Sequence, residues 1–225
     1  MSDYITGITV AFRGVGTTLE ITSVAVIIGV VLGLLVALCK ISKFKILKAI
    51  ASIYIDVLRG TPLMVQVLLV YFGLPYFIQQ TIGIAGFKWS SAVVVGMVVC
   101  GINSSAYVAE IIRAGLQAID KGQTEAARSL GMTYWQTMRF VVVPQAFRVI
   151  IPALGNEFIT LIKETAILSV ITITDITRSS MLWASSTFIY FPAYIGTAIV
   201  YMILTIPLSK VMNLLERKLA NDVKS

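Results

Sequence analysis

Five apolar blocks, each long enough to cross a lipid bilayer, leave this chain few folds to choose from. A spanning helix needs about 20 mostly apolar residues, and residues 17–38, 57–78, 89–112, 149–171 and 189–208 each meet that requirement. No water reaches a backbone N–H or C=O inside the hydrocarbon, so each block must satisfy its own backbone as a helix. The expected fold is all-α, a polytopic membrane protein with five transmembrane helices in one domain over residues 1–225. Composition agrees: 57% of the residues are hydrophobic and 13% charged, against roughly 25% charged in soluble domains.

The charges that remain are sorted. Lys40, Lys43, Lys45 and Lys48 follow the first block; Arg113, Lys121, Arg128, Arg139 and Arg148 follow the third; Lys210, Arg217, Lys218 and Lys224 follow the fifth. These clusters hold thirteen of the eighteen Lys and Arg residues. The net charge of +7 therefore reads as a positive-inside bias rather than a nucleic-acid surface, and no nucleic-acid partner is expected. The bias places the N-terminus outside, and the three basic segments and the C-terminus in the cytoplasm. Residues 79–88 then form an outer loop, as do residues 172–188, which have room for a short lateral helix. Cys39 and Cys100 lie in or beside apolar blocks and read as packing residues, not a disulfide framework. The chain has no histidine, which removes imidazole catalysis and His metal sites; no catalytic residue and no metal site is expected. The N-terminus, with Asp3 and little positive charge, does not read as a cleaved signal peptide.

One cytoplasmic segment is unlike the rest. Residues 124–140 carry good helix formers, with Ala126, Ala127 and Leu130 at helical spacing as one apolar group and Trp135, Met138 and Phe140 as a second. Gly122 is placed to start the helix, Gly131 to turn the chain, and Pro144 to begin the next helix, where its missing N–H costs nothing. So short a helix is marginal alone in water and must rest on something. Lipid headgroups and a cytoplasmic partner both fit that requirement.

Glu125-Ala126-Ala127, then Gly131, then Val141, Val143 and Pro144 match the spacing of the EAA loop in ABC importer permeases, with valine where isoleucine and leucine are usual. Arg59-Gly60-Thr61-Pro62, Asn103-Ser104-Ser105-Ala106-Tyr107, Glu110 to Gly115 and Pro152 to Phe158 resemble the polar amino-acid branch of that family. The resemblance covers nearly the whole chain. It implies the transmembrane subunit of a type I importer in the bacterial inner membrane, not an enzyme itself. Two permeases, identical or paralogous, would pair around a central path. The loop over residues 113–148 would couple each to a cytoplasmic ATPase dimer through Glu125, Ala126, Ala127, Gly131 and Pro144, and an extracytoplasmic binding protein would deliver the amino acid. No cofactor is expected in this chain, since ATP and Mg would sit on the ATPase. The residues agree on one point: there is no Gly-Lys pair, and so no P-loop. The competing reading is a five-span channel or secondary transporter without an ATPase. Secondary carriers commonly show internal repeats, and none is visible here.

Polar residues inside spans are costly and mark functional sites. At 1.5 Å per residue, Asn103 lies about 9 Å from the inner face of a core of about 30 Å, and Glu157 about 12 Å from it. Lys163 lies about 21 Å from that face, above both. A zwitterionic amino acid needs an anion and a cation, and Glu157 and Lys163 supply one each; six residues apart, they are not neighbours on one helix face. Asn103, Ser104, Glu157 and Lys163 are thus the substrate-site candidates, with Ser105 alongside. Their other reading is glue between spans or between subunits. Glu164 falls on the face of Glu157 and reads as structural. Glu110 and Arg113 are spaced to pair. Arg59, Thr61 and Pro62 mark a kink or a gate in the second span, with Arg59 near its inner end. Trp89, Trp183, Tyr190 and Tyr194 suit the outer interface, and Gly29 and Gly33 form a small-xxx-small packing pair.

Overall fold

The computed structural model describes residues 1–221, with side chains as far as residue 219; Lys224 of the third basic cluster lies outside the described residues. The chain is helical in succession: α1 (Ser2–Phe12), α2 (Val15–Ile41), α3 (Lys45–Gly60) and α4 (Leu63–Leu68). A wide turn, Leu69–Gly73, then α5 (Leu74–Phe77) and a second wide turn, Ile78–Ile82, complete the second crossing. α6 (Ala92–Gln117), α7 (Lys121–Ser129), α8 (Tyr134–Thr137), α9 (Val143–Glu164), α10 (Ile176–Thr187) and α11 (Tyr190–Asn221) follow. Among the described residues, five helical runs are long and apolar enough to cross a membrane, as the sequence predicts.

Close packing of α2 on α6 organises the bundle. Ala25, Gly29, Gly33 and Ala37 recur every fourth residue along α2 and all are buried. A Cβ on Gly33 would lie 2.6 Å from Val108 Cγ1 and 2.8 Å from the Ser105 carbonyl. One on Gly29 would lie 3.0 Å from Ser104 Oγ, and one on Gly101 2.7 Å from Ile28 Cβ. The glycine pair predicted to pack does so, within a longer stripe of small residues. Contacts advance in the same sense on both helices, so α2 and α6 run parallel. α9 runs antiparallel to α6: Gly96 faces Leu168, Ser104 faces Glu157 and Gly115 faces Ile150.

The bounds differ from expectation in four places. The first crossing is preceded by α1, which bends into α2 at Arg13-Gly14 and runs beside the start of α11, with Gly7 against Pro192 and Ala193. The second crossing is two helices. Residues 57–60 belong to the end of α3, and the chain is extended at Thr61 (φ −120°, ψ 139°) before Pro62 starts α4. Proline bars the helical region to the residue before it, so Pro62 produces a full break rather than a kink. The third run starts at Ala92, leaving Trp89 in the preceding loop, where its Nε1 donates to the Val70 carbonyl at 2.9 Å. The fourth run is a continuous rod, Tyr134–Ile171; Pro144 stands in the first turn of α9 as expected, but directly after a wide helical turn rather than after a loop. The ladder widens at Met138–Val142 just before Pro144, which accommodates the missing N–H and the ring.

The lateral helix expected in residues 172–188 is α10. Asp175 is fully buried at its N-cap and accepts from the Arg178 N–H at 2.7 Å and the Tyr201 hydroxyl at 3.3 Å. Burial raises this carboxyl above its ordinary value, against the pull of those donors. The Ile176 N–H reaches Thr18 Oγ1 at 3.4 Å, so α10 clasps α2 to α11. Glu110 and Arg113 pair as expected, at 2.7 Å.

The α2–α6 contact yields a paired test. Gly33→Leu forces side-chain atoms against Val108 and the α6 backbone and should cost about 1–3 kcal/mol, seen as a lower midpoint in thermal unfolding of the detergent-purified protein. Gly16, which has nothing within 4 Å of a built Cβ, should accept alanine with no such loss.

Candidate functional site

The break in the second crossing lies at the depth of the polar residues of α6. Three donors close it. Thr61 Oγ1 donates to the Val57 carbonyl at 2.8 Å. Gln66 Nε2 donates to the Leu58 carbonyl at 2.8 Å and lies 2.9 Å from Thr61 Oγ1. Asn103 Nδ2 reaches Gln66 Oε1 at 3.0 Å and the Leu58 carbonyl at 3.4 Å. The Val57 and Leu58 carbonyls, which lose their helical partners at the break, are thus met by side chains. Tyr54 adds a fourth link, its hydroxyl 2.6 Å from Ser105 Oγ. Arg59, exposed at the end of α3, places its guanidinium 5.3 Å from the centre of the Tyr107 ring.

Across α6 from this break, Ser104 Oγ donates to Glu157 Oε1 at 2.8 Å. Ser104 is buried because Gly29 leaves room for it on the α2 side, and Glu157 is half-buried on α9. The structure therefore joins Ser104 and Glu157. Asn103, one residue earlier, is turned away from Glu157 and committed to Gln66 and Leu58. Lys163 is exposed, and no ion pair among the described residues joins it to Glu157. The four residues grouped by depth separate by direction: Ser104 and Glu157 are one unit, Asn103 belongs to the break, and Lys163 stands farther along α9. What remains is a half-buried carboxylate on one side of α6, able to hold an ammonium, and on the other side a break with a guanidinium at its edge. Gln66 escaped sequence reasoning. The signal for it is a lone amide four residues after a proline in an apolar run.

The second unit is the connection between α6 and α9. Asp120 Oδ1 accepts from the Gly122 N–H at 2.6 Å and caps α7, so Asp120, not Gly122, sets its start. α7 ends at Ser129, well short of residue 140. Gly131 has φ +81°; its N–H reaches the Arg128 carbonyl at 3.0 Å while the Met132 N–H reaches Ala127 at 3.2 Å, the paired bonds of a glycine-terminated helix. Thr133 and Gln136 then form a reciprocal capping box that starts α8. Ala127 is buried, and Gln123 meets Gln145 at 3.3 Å, which braces α7 against the rod.

The apolar face expected from Ala126, Ala127 and Leu130 is divided. Ala127 faces in, Ala126 and Glu125 face out, and Leu130 is 84% exposed. Trp135 is 79% exposed, with Tyr134 and Phe140 also outside. A cleft of about 270 Å³ beside Gly131 is lined by Leu130, Met132, Gln136 and Phe140. Another, of about 340 Å³, opens between α1 and α10 at Arg13 and Trp183. Neither includes Glu157. Pro144 is exposed on the rod next to this connection.

Comparison with known proteins places these features in one lineage. Residues 29–221 match the family described as binding-protein-dependent transport system inner membrane component. The arginine transport system permease protein ArtQ of Bacillus subtilis is 43% identical over 210 residues, covering 93% of this chain and 92% of that one. The probable glutamine ABC transporter permease protein GlnM of Bacillus subtilis is 42% identical, covering 84% and 83%. The crystal structure of an amino acid ABC transporter with histidines superposes with a TM-score of 0.87 at 49% identity, covering 95% of this chain and 96% of that one. The MetNI methionine ABC transporter in inward-facing form shares the fold, with a TM-score of 0.70 at 20% identity over 93% of this chain and 96% of that one. This chain belongs to the family of binding-protein-dependent transport system inner membrane components.

Proposed function

We propose that the chain is the permease subunit of an ATP-driven importer of polar amino acids. The observation that carries this is family membership over residues 29–221 combined with a braced, outward-facing helical connection between α6 and α9. A second permease, the same or a paralogue, completes the path. A cytoplasmic ATPase dimer binds ATP and Mg, and an extracytoplasmic binding protein delivers the substrate. The N-terminus lies outside and the C-terminus in the cytoplasm, as the basic clusters require.

In this reading α7 and α8 are the ATPase contact within the loop over residues 113–148. Glu125 and Ala126 face outward, Ala127 anchors the helix from beneath, and Gly131 makes the turn that projects Leu130. Pro144, with the wide turn before it, joins this contact to the transmembrane rod. An apolar group this exposed, flanked by Arg128 and Arg139, suits a protein partner.

For the substrate, Glu157 receives the ammonium and Ser104 fixes the carboxylate rotamer. Asn103 and the break residues Arg59, Thr61 and Pro62 lie on the other side of α6 and serve as a gate in the path. Lys163 faces the carboxylate-binding side later in the path. Broken helices at mid-membrane are where transporters place their sites.

Two outcomes test this. Glu157→Gln keeps shape and removes charge; in proteoliposomes it should raise the apparent KM for uptake about 30-fold, about 2 kcal/mol, with the ATPase still bound. Equal uptake by variant and parent would reject the role of Glu157. Gly131→Val places a branched residue at positive φ, which only glycine adopts freely, and Leu130→Asp charges the projecting residue. Both should abolish copurification of the ATPase while leaving the permease folded by circular dichroism. Intact copurification would reject the contact.

A further inference from the structure

The corner between α2 and α3 carries a combination that neither the transport path nor the ATPase contact uses. Lys40 ends α2, Lys43 lies in the turn, and Lys45 and Lys48 occupy the first turn of α3. No acidic residue occurs between Glu20 and Asp56. Lys40 is engaged, its Nζ donating to Ser52 Oγ at 2.8 Å. Lys43, Lys45 and Lys48 are exposed, and among the described residues none forms an ion pair. Apolar side chains interleave with them and also face outward: Phe44 is 72% and Ile46 75% exposed, followed by Leu47 and Ile50.

Exposed lysines alternating with exposed aromatic and aliphatic side chains do not suit water alone or hydrocarbon alone. They suit the boundary, with the chains in the acyl region and the ammonium groups at the phosphates. We infer that the α2–α3 corner binds anionic phospholipid of the cytoplasmic leaflet through Lys43, Lys45 and Lys48, with Phe44 and Ile46 inserted beside the headgroups. The assignment of the leaflet rests on the orientation proposed above. Juxtamembrane lysine clusters draw anionic lipid with a strength that adds per lysine and falls with salt.

The site has a consequence for the transporter. α3 runs from this corner to the break at Thr61, and it touches α6 through Tyr54 and Ser105. Lipid held at its first turn fixes α3, so anionic lipid sets the position at which the Leu58 carbonyl and Thr61 meet Gln66 and Asn103 across the break.

The test uses the purified permease complex. In native mass spectrometry after delipidation and addition of dioleoyl phosphatidylglycerol or dioleoyl phosphatidylcholine, the parent should retain phosphatidylglycerol and lose phosphatidylcholine. K43Q/K45Q/K48Q should weaken phosphatidylglycerol retention about tenfold. K210Q/R217Q, which removes charge from α11 instead, should retain it like the parent. In vesicles of phosphatidylcholine with about 30 mol% phosphatidylglycerol, binding-protein-stimulated ATP hydrolysis should exceed that in pure phosphatidylcholine about fivefold for the parent and be equal in both for the triple variant. Equal retention by parent and triple variant, or loss in K210Q/R217Q alone, overturns the site. Because retention is read without transport, its failure is distinct from failure of the importer reading, which would appear as absence of stimulated hydrolysis in every vesicle.

Discussion

Gly29, Gly33 and Gly101 let α2 and α6 pack closely, each receiving a side chain of the facing helix (Ser104, Val108 and Ile28), and most of the polar geometry is referred to that contact. Lipid tails are as apolar as leucine, so helices in a bilayer gain little from hiding hydrophobic surface from each other; close backbone approach supplies the attraction instead. The approach has a second effect. At Gly29 it makes a niche for the Ser104 side chain, buried at 1% exposure, so the hydroxyl has one direction left, toward Glu157. A larger residue at position 29 would displace the group that holds the carboxylate.

On the opposite side of α6 the constraint is the unsatisfied backbone. Pro62 ends α3 and leaves the Val57 and Leu58 carbonyls without helical partners, a loss that costs free energy wherever water is excluded. Gln66 and Asn103 answer with side-chain amides, and both are engaged by the break itself. Side-chain bonds of this kind hold a joint without the cooperativity of a helix ladder. The two halves of the second crossing are therefore linked through groups that can be exchanged one at a time, whereas α2, α6 and the fourth rod are each continuous in the region of the site.

Much of this was legible in the sequence where a single rule governs. Length and apolar content located five crossings, because the bilayer sets one thickness for all of them. Four-residue spacing identified Gly29 and Gly33, three-residue spacing identified Glu110 and Arg113, and room between spans identified α10. What escaped depends on direction or on competition between rules. α1 carries Arg13 and Gly14 at its end, and lies against α11 across almost the whole length of the chain, a contact no local pattern reports. Asn103 and Glu157 were grouped correctly by depth and wrongly by direction, since adjacent helix positions 103 and 104 point about 100° apart and Ser104, not Asn103, faces α9. Pro144 looks like a helix start by its own chemistry; the wide turn at Met138–Val142 that lets the rod continue through it leaves no mark in composition.

That continuous rod explains how distant parts of the chain can act together. Tyr134 begins beside the exposed turn at Gly131, and Glu157 lies 23 residues on, about 35 Å at the rise of an α-helix. α7 is tied to the rod by Gln123 and Gln145 and by the buried Ala127. Between α7 and the rod, the paired bonds at Gly131 and the capping box at Thr133 order the short link that carries Leu130. The rod is helical throughout, with the wide turn before Pro144 and one further proline, Pro152, inside α9. Glu157 lies beyond both and is tied to α6 by the 2.8 Å bond from Ser104. In the proposed importer this bond is what joins the rod to α6 at that depth, with Ser104 seated in the niche that Gly29 leaves on α2.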